Sequence, residues 1–571
     1  MFTKRWSLSK PAYPVQVDRA VRIPVSDGIE LDADIYRPAG AEQCPAIVGL
    51  HGYSKAKQVT PSMPVAMGAG RNGEVEAGDP VFFARRGYAH VIVNARGTGA
   101  SGGVFNYQGP IETRDGAEVV EWAAQQPWCD GNVGLAGQSY FSIMALRVAA
   151  ARPPSLKAIY SPWGRTSSYH GYYLGGILSA RMLSHWPLTL DNLRYESLGE
   201  SYLGPEEFSA RLERARRDPE LLSVPTLAAA LAERRTPAQK LMVDFIVHPF
   251  ATELFWTDRD ADVSAIEVPS VLGACWGSYG LHLSGSLHDF EQLRAPGQLL
   301  VGPPIYLDRP IYQLGYDQLR WFDQWLKGIE SGLEEEPRVR VFVPGKGDWL
   351  EREEWPLPET RWTPFNLHAG GLLSEHEFFP DEGATSFEDT YNQRGSLTFT
   401  TPKLVESTTL VGPARLELFA STTDDEVLWF ASLWDVPPDG EPELLTRGWL
   451  RGTLRAVDED RSTGWQAHHP FAERTPVEPG EINRYTINLV ATARHLPPGH
   501  RIALKLACSD HEPVVGVGGM MGSGRLTRPQ PAWLTVHHEY EHPSCVHLPV
   551  VSGNVIGTFM SGGDPAIRAP V

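Results

Sequence analysis

From Ala20 the chain alternates apolar and polar positions. Val21, Ile23 and Val25 share one face, Ser26-Asp27-Gly28 makes a turn, and Leu31, Ala33 and Ile35 resume the rhythm, which predicts two strands joined by that turn. The next segments lose the alternation: 45–50 and 89–94 are almost continuously apolar, as expected of strands covered on both faces. Between them, 79–86 reads as a short helix stopped by Gly87. Apolar residues at helical spacing predict a longer helix over 113–124, closed by Pro127, Asp130 and Gly131. The segment 133–137 is a brief buried strand, Gln138-Ser139-Tyr140 follows, and an apolar helical run begins near Phe141. That succession of strand, turn and helix gives the serine a weight its immediate neighbours alone do not.

A further strand is predicted over 156–160, and then the pattern turns helical. From about 162 to 260, Met182, Leu183, Trp186, Leu188 and Leu190 stand among polar residues, with a charged stretch over 205–220, as in a cap inserted over an α/β core. Core strands resume at 266–274 and 298–302, and a helix over 318–327 directs Leu319, Trp321, Phe322 and Leu326 inward. Beyond about 330, period-two strands at 339–343, 416–420, 484–489 and 501–506 alternate with proline-containing turns, predicting an all-β domain of sandwich or jelly-roll type.

Composition narrows the function. With 42% hydrophobic and 21% charged residues the 571-residue chain is globular, and a formal net charge of −18 works against binding nucleic acid or an anionic membrane surface. Five cysteines, Cys44, Cys129, Cys275, Cys508 and Cys545, lie too far apart for a disulfide framework or a zinc cluster. Neither a metal nor a cofactor is expected. The first residues lack a signal-like apolar core and no apolar run reaches about twenty residues, so the expectation is a soluble cytoplasmic protein without membrane contact. A homodimer is compatible with that expectation.

The chemistry enters through a set of motifs. Leu50-His51-Gly52-Tyr53-Ser54-Lys55 is followed by Asn94-Ala95-Arg96-Gly97-Thr98-Gly99-Ala100-Ser101-Gly102-Gly103, then by Gln126-Pro127-Trp128-Cys129-Asp130-Gly131-Asn132-Val133-Gly134-Leu135-Ala136-Gly137-Gln138-Ser139-Tyr140. Together these resemble the cocaine esterase and X-Pro dipeptidyl-peptidase family of α/β-hydrolases over nearly the whole chain. The resemblance implies an α/β-hydrolase core with an inserted helical cap, followed by an all-β jelly-roll-like domain. The expected boundaries are core at 1–161 and 263–335, cap at 162–262 and β domain at 336–571. It also implies a serine hydrolase acting on an ester or amide of a small hydrophobic molecule. A lyase, cyclase or isomerase on the same fold, and a binding protein with a decayed site, are the alternatives.

Ser139 stands at the nucleophile position of that family; the plainer reading is a buried serine at a helix start. Tyr53 resembles the family's oxyanion-hole tyrosine, and the Tyr140 N–H is the second donor. A serine hydroxyl also needs a base, normally histidine held by a carboxylate. Here the family's Asp position reads Ser278, within Cys275-Trp276-Gly277-Ser278, and its His position reads Tyr306, within Gly302-Pro303-Pro304-Ile305-Tyr306. His51, His170 or His282 is left as a substitute base, with Asp289 or Asp308 as carboxylate, although isolated histidines are more often structural or merely polar. Arg96 and Asp115 read as supports of the core loops. Trp163, Tyr169, His170 and Trp276, with His51 and His282, are candidates for lining the substrate pocket, although large aromatics also serve merely to pack a cap.

Overall fold

The computed structural model describes residues 7–53, 55, 76–278, 280–303, 315–376, 382–390, 394–509 and 531–553. Its first part is a twisted ten-stranded sheet. The strands are β1 (Val15–Pro24), β2 (Glu30–Pro38), β3 (Cys44–His51), β4 (Ala89–Asn94), β5 (Cys129–Ala136) and β6 (Leu156–Pro162). A cap hairpin of β7 (Tyr173–Leu174) and β8 (Ile177–Leu178) intervenes, and β9 (Ser270–Cys275), β10 (Gly297–Gly302), β11 (Val339–Val343) and β12 (Asp348–Arg352) complete the sheet. The spatial order is β1-β2-β4-β3-β5-β6-β9-β10-β11-β12.

Strands β3, β4 and β9 are buried at every position, which is why they read as unbroken apolar runs. The chain passes from β3 outward to β4 on one side and to β5 on the other, so the strand order reverses at the β3–β5 junction. Ligands of open α/β sheets bind outside the carboxyl ends of strands at such a reversal. Tyr53 follows β3 and Ser139 follows β5, one on each side of it. Close packing holds the following helix, Tyr140–Ala150, to the sheet: a side chain at Gly49 would come within 2.7 Å of the Phe141 ring.

The short helix of the sequence reading is Pro80–Ala84, capped by the Asp79 carboxylate, which accepts from Val81 N and Phe82 N at 2.9 Å. The crossover helix is Pro110–Ala124, three residues longer at its start because Pro110 supplies a favourable first position.

The cap is a set of short helices around one buried aromatic group. Tyr169 stacks on Tyr173 at 4.8 Å between centroids, and both meet Trp256 edge-on. Their polar ends are spent on main chain: Tyr169 Oη donates to Pro249 O, Tyr173 Oη to Phe245 O and Trp256 Nε1 to His248 O, at 3.0, 3.0 and 2.7 Å.

The third part is an eleven-stranded sheet between Arg361 and Ser552. Its long strand Thr408–Thr422 pairs with Asn483–Leu496, Ala532–His537 and Cys545–Ser552, which bends the sheet into a barrel-like form. One expected member is absent from it. Residues 339–343, assigned from their alternation to the β domain, are β11, which runs parallel to β10 and extends the first sheet through β12 to Arg352. A strand near the rim of a sheet, covered more on one face than on the other, alternates just as a sandwich strand does, so the period could not tell the two apart.

The cap and the β domain are tied by a buried ion-pair network. Arg451 Nη2 lies 2.7 Å from Glu220 of the cap and Nη1 3.1 Å from Glu426, which also pairs with Arg474 at 3.2 Å. Arg451 N donates to Gly175 O at 2.8 Å, beside the β7–β8 hairpin. Removing one partner of a buried pair leaves uncompensated charge, so Arg451→Met is expected to cost about 3–5 kcal/mol of stability. Arg152→Ala, which breaks an exposed pair with Glu267, should leave the melting curve unmoved. Thermal or urea unfolding of the two variants checks the contrast, and equal effects would remove the network from this role.

Candidate active site

Ser139 is the residue between β5 and the helix Tyr140–Ala150, and its backbone is strained: φ is +57° and ψ −117°. A left-handed φ is costly for a residue with a β-carbon and persists where surrounding packing imposes it. The turn is possible because Gly137, at φ +145°, has no side chain to collide with Phe141. Ser142 Oγ braces the first helical turn, donating to Gly137 O at 2.9 Å and Pro162 O at 2.5 Å. Ser139 thus stands at the helix N-terminus with the Tyr140 N–H beside it, where developing negative charge is favoured.

Tyr53 Oη lies next to Ser139 and accepts a hydrogen bond from Trp186 Nε1 at 3.0 Å. Indole nitrogen is a donor only, so this bond occupies a lone pair of the phenol and leaves its proton for the serine side. Burial, with the Glu76 carboxylate nearby, pushes the Tyr53 phenol far above its ordinary pKa, so it remains a neutral donor at any working pH. The Tyr140 ring meets Tyr53 edge-on at 6.0 Å and stacks on Trp186 at 6.2 Å, while its hydroxyl bonds both oxygens of the buried Glu112 at 2.8 Å. Burial raises the Glu112 carboxyl to about 7 against the opposing pull of that phenol.

The other predicted residues fall into separate places. His51 is fully buried and stacks on Phe141 at 4.3 Å; burial pushes its imidazole down to about 3, and neither ring nitrogen has a hydrogen-bond partner. Ser278 directs its hydroxyl to Cys275 O at 2.9 Å, closing the turn after β9, and its own carbonyl receives the His282 N–H at 3.2 Å. Trp163, at φ +60°, packs beside Cys275. The Trp276 indole donates to Phe342 O of β11 at 2.5 Å, away from the β3–β5 reversal. Tyr169 belongs to the aromatic group of the cap, and the His170 ring packs edge-on against Phe471 of the β domain. Asp289 is bound by Thr166 N and Oγ1 at 2.8 and 2.6 Å, and Arg96 and Asp115 form a buried pair at 2.7 Å beneath the glycine-rich loop. Tyr306 and Asp308 lie outside the described residues. Among the described residues no imidazole or carboxylate hydrogen-bonds the Ser139 hydroxyl, and no group of three or more His, Cys, Asp or Glu is arranged to hold a metal ion.

Two carboxylates escaped the sequence reading. Glu112 carries no signal beyond its place in the first turn of a helix. Glu76 is brought to the elbow by its main chain, since Gln138 N donates to Glu76 O at 2.9 Å; its side chain is buried and held up at about 8.

A serine at a strained turn between a central parallel strand and a helix, on a sheet whose strand order reverses beside it, defines an α/β-hydrolase. Comparison with known proteins agrees. Residues 27–305 match the X-Pro dipeptidyl-peptidase (S15 family), and residues 331–547 match the X-Pro dipeptidyl-peptidase C-terminal non-catalytic domain. The chain is 25% identical to cocaine esterase of Rhodococcus sp., over 93% of this chain and 98% of that one. Among solved structures it is similar to a CocE/NonD family hydrolase from Staphylococcus aureus, at 23% identity and a TM-score of 0.77, covering 94% and 93% of the two chains. An aminopeptidase from a marine sediment Thaumarchaeota archaeon shares the fold at 17% identity and a TM-score of 0.71, over 97% and 99%. The chain belongs to the X-Pro dipeptidyl-peptidase S15 family, with that family's C-terminal domain, and is a serine hydrolase.

Removing the Tyr53 hydroxyl as Tyr53→Phe is expected to lower turnover of an activated ester by about 10²-fold, the usual effect of deleting one oxyanion donor. Trp186→Phe keeps an aromatic ring and loses only the orienting N–H, so it should fall between wild type and Tyr53→Phe. Steady-state kinetics of the two variants test the arrangement, and an unaltered rate in Tyr53→Phe would take the phenol out of it.

Proposed function

We propose that the protein hydrolyses an ester or amide of a small organic molecule through Ser139, without the Asp and His that usually serve such a serine. The observation that carries this reading is the strained Ser139 beside the Tyr53 phenol, since strain of that kind is retained where it positions a nucleophile. Ser278 and Tyr306 stand where the resemblance places the acid and the base. Ser278 is engaged with Cys275 O, and His51, neutral and stacked on Phe141, is a weak acceptor. The proton acceptor in this reading is Glu76, whose main chain abuts the elbow and whose carboxylate shares the surroundings of Tyr53.

In the first step Ser139 Oγ bonds to the carbonyl carbon while its proton passes to Glu76, and the carbonyl electron pair moves onto an oxygen held by Tyr53 Oη–H and Tyr140 N–H. Collapse expels the alcohol or amine, which takes the proton from Glu76. Water then cleaves the acyl–serine bond by the same route.

The pH dependence follows from the sign of the Glu76 shift. A carboxyl held near 8 is mostly protonated at neutral pH and becomes a base as pH rises, so activation of Ser139 should climb about tenfold per unit below 8 and level above it. The measurement is the rate of covalent labelling by a fluorophosphonate between pH 6 and 9, read by intact mass. Glu76→Gln should slow labelling and flatten the profile, and Ser139→Ala should not label. A midpoint near 6.5, surviving in Glu76→Gln, would return the role to a histidine, and an unlabelled wild type would overturn the hydrolase mechanism.

A further inference from the structure

On the cap side, the wall of the site is phenolic and ends in a guanidinium. Trp186, the donor to Tyr53, meets Tyr107 edge-on at 5.4 Å and Tyr172 at 6.1 Å, and these two tyrosines meet each other at 6.0 Å. Next to them lies Arg165, 3% exposed, three residues past β6 at the end of the sheet that carries Ser139. Its slot is made by two glycines. A side chain at Gly285 would collide with the Arg165 stem, and one at Gly171 would occupy the space of the guanidinium.

The slot holds the cation without a contact ion pair. Arg165 Nη1 donates to Ser167 O at 3.2 Å, while Nε is buried with no hydrogen-bond partner. The Tyr107 hydroxyl sits within reach of the guanidinium and the Tyr172 hydroxyl, without an aligned hydrogen bond to either. Among the described residues no carboxylate forms an ion pair with Arg165. The two whose fields reach it are engaged elsewhere, Asp289 by Thr166 and Asp260 by Ser168 N at 3.1 Å. Two more buried guanidiniums, Arg147 and Arg259, add positive charge to the same layer. A buried guanidinium without a contact ion pair destabilises a fold, and the Tyr107 hydroxyl, left without an aligned partner, adds to that cost. One kind of group satisfies all of them together: a planar anion that accepts from the guanidinium fork and from a phenol.

We propose that Arg165, with the hydroxyls of Tyr107 and Tyr172, anchors a free carboxylate on the substrate, so that the molecules cleaved at Ser139 are half-esters or half-amides bearing a carboxylate away from the scissile bond. This rests on the hydrolase reading above and specifies its substrate class.

The test separates binding from turnover. Calorimetry on Ser139→Ala with monomethyl glutarate and dimethyl glutarate should give affinity for the half-ester about 10- to 100-fold greater, the usual range for a charge-assisted contact. Adding Arg165→Met should abolish that difference, and Arg165→Lys should restore part of it. In wild type, a nitrophenyl ester with a terminal carboxylate should exceed its neutral analogue in kcat/KM by a similar factor, chiefly through KM, while fluorophosphonate labelling of Ser139 stays within a few-fold in Arg165→Met. The melting temperature of Arg165→Met distinguishes an anchor from a structural arginine. Replacing an unpaired buried cation by an apolar chain of like length should leave it equal or higher, whereas loss of a structural contact would lower it. Equal binding of half-ester and diester by Ser139→Ala overturns the anchor even if hydrolysis persists. Half-ester binding that depends on Arg165, with no turnover or labelling in wild type, keeps the anchor and overturns the hydrolase mechanism.

Discussion

The left-handed backbone of Ser139 is the constraint on which the rest of the molecule depends. It costs free energy locally, of the order of 1–3 kcal/mol, and persists because the helix behind it is pressed onto the sheet through Phe141, at a height that only glycine at 49 and at 137 permits. The same contact buries His51 against Phe141 and thereby withdraws it from proton chemistry. It also sets the direction of the Tyr140 ring, whose hydroxyl reaches Glu112 in the first turn of the preceding helix. One packing choice therefore fixes the nucleophile, removes a nearby histidine and orders the phenols around the site.

Those phenols make an electrostatic environment unlike that of an imidazole. Tyr53, Tyr107, Tyr140 and Tyr172 are all buried, and burial raises the cost of ionising each of them. They act as fixed neutral donors, suited to holding negative charge that arrives on a substrate and unsuited to removing protons. In the proposed mechanism such donors are paired with a base of another type. There the proposed base is a buried carboxylate with a raised pKa: a stronger base than an ordinary carboxylate, present in smaller ionised fraction.

Much of the fold was legible because its signals are local. The unbroken apolar runs at β3 and β4 report burial on both faces, and the elbow was readable from a buried strand, Gly137, Ser139 and an apolar helix in succession. Legibility failed where the same local pattern serves two tertiary settings. Strand β11 alternates as any half-covered strand does, and only its pairing with β10 assigns it to the first sheet. The cap aromatics were open between packing and pocket lining; Tyr169, Tyr173 and Trp256 have their polar ends bound to main chain, whereas Trp186 turns its N–H to Tyr53. Glu76 and Arg165 had no signature at all. One is brought in through a main-chain hydrogen bond and the other is marked by its place beside the site and by the partner its Nε lacks, and neither property is written in a neighbouring residue.

Unsatisfied donors bear on selectivity more than on affinity. A pocket that merely adds apolar area discriminates weakly between ligands differing by a methylene, whereas a pocket with buried groups awaiting a partner rejects ligands that cannot supply one, because binding then leaves those groups both dry and unpaired. Arg165 and Tyr107 are in that condition among otherwise well-packed rings. A neutral ligand seated there would complete the exclusion of water without supplying an acceptor for the guanidinium. The S15 fold places its nucleophile on the sheet and leaves the opposite wall to the cap, so chemistry and selection reside on different elements: the elbow decides that a carbonyl is attacked, and the loop after β6 decides which molecule presents it.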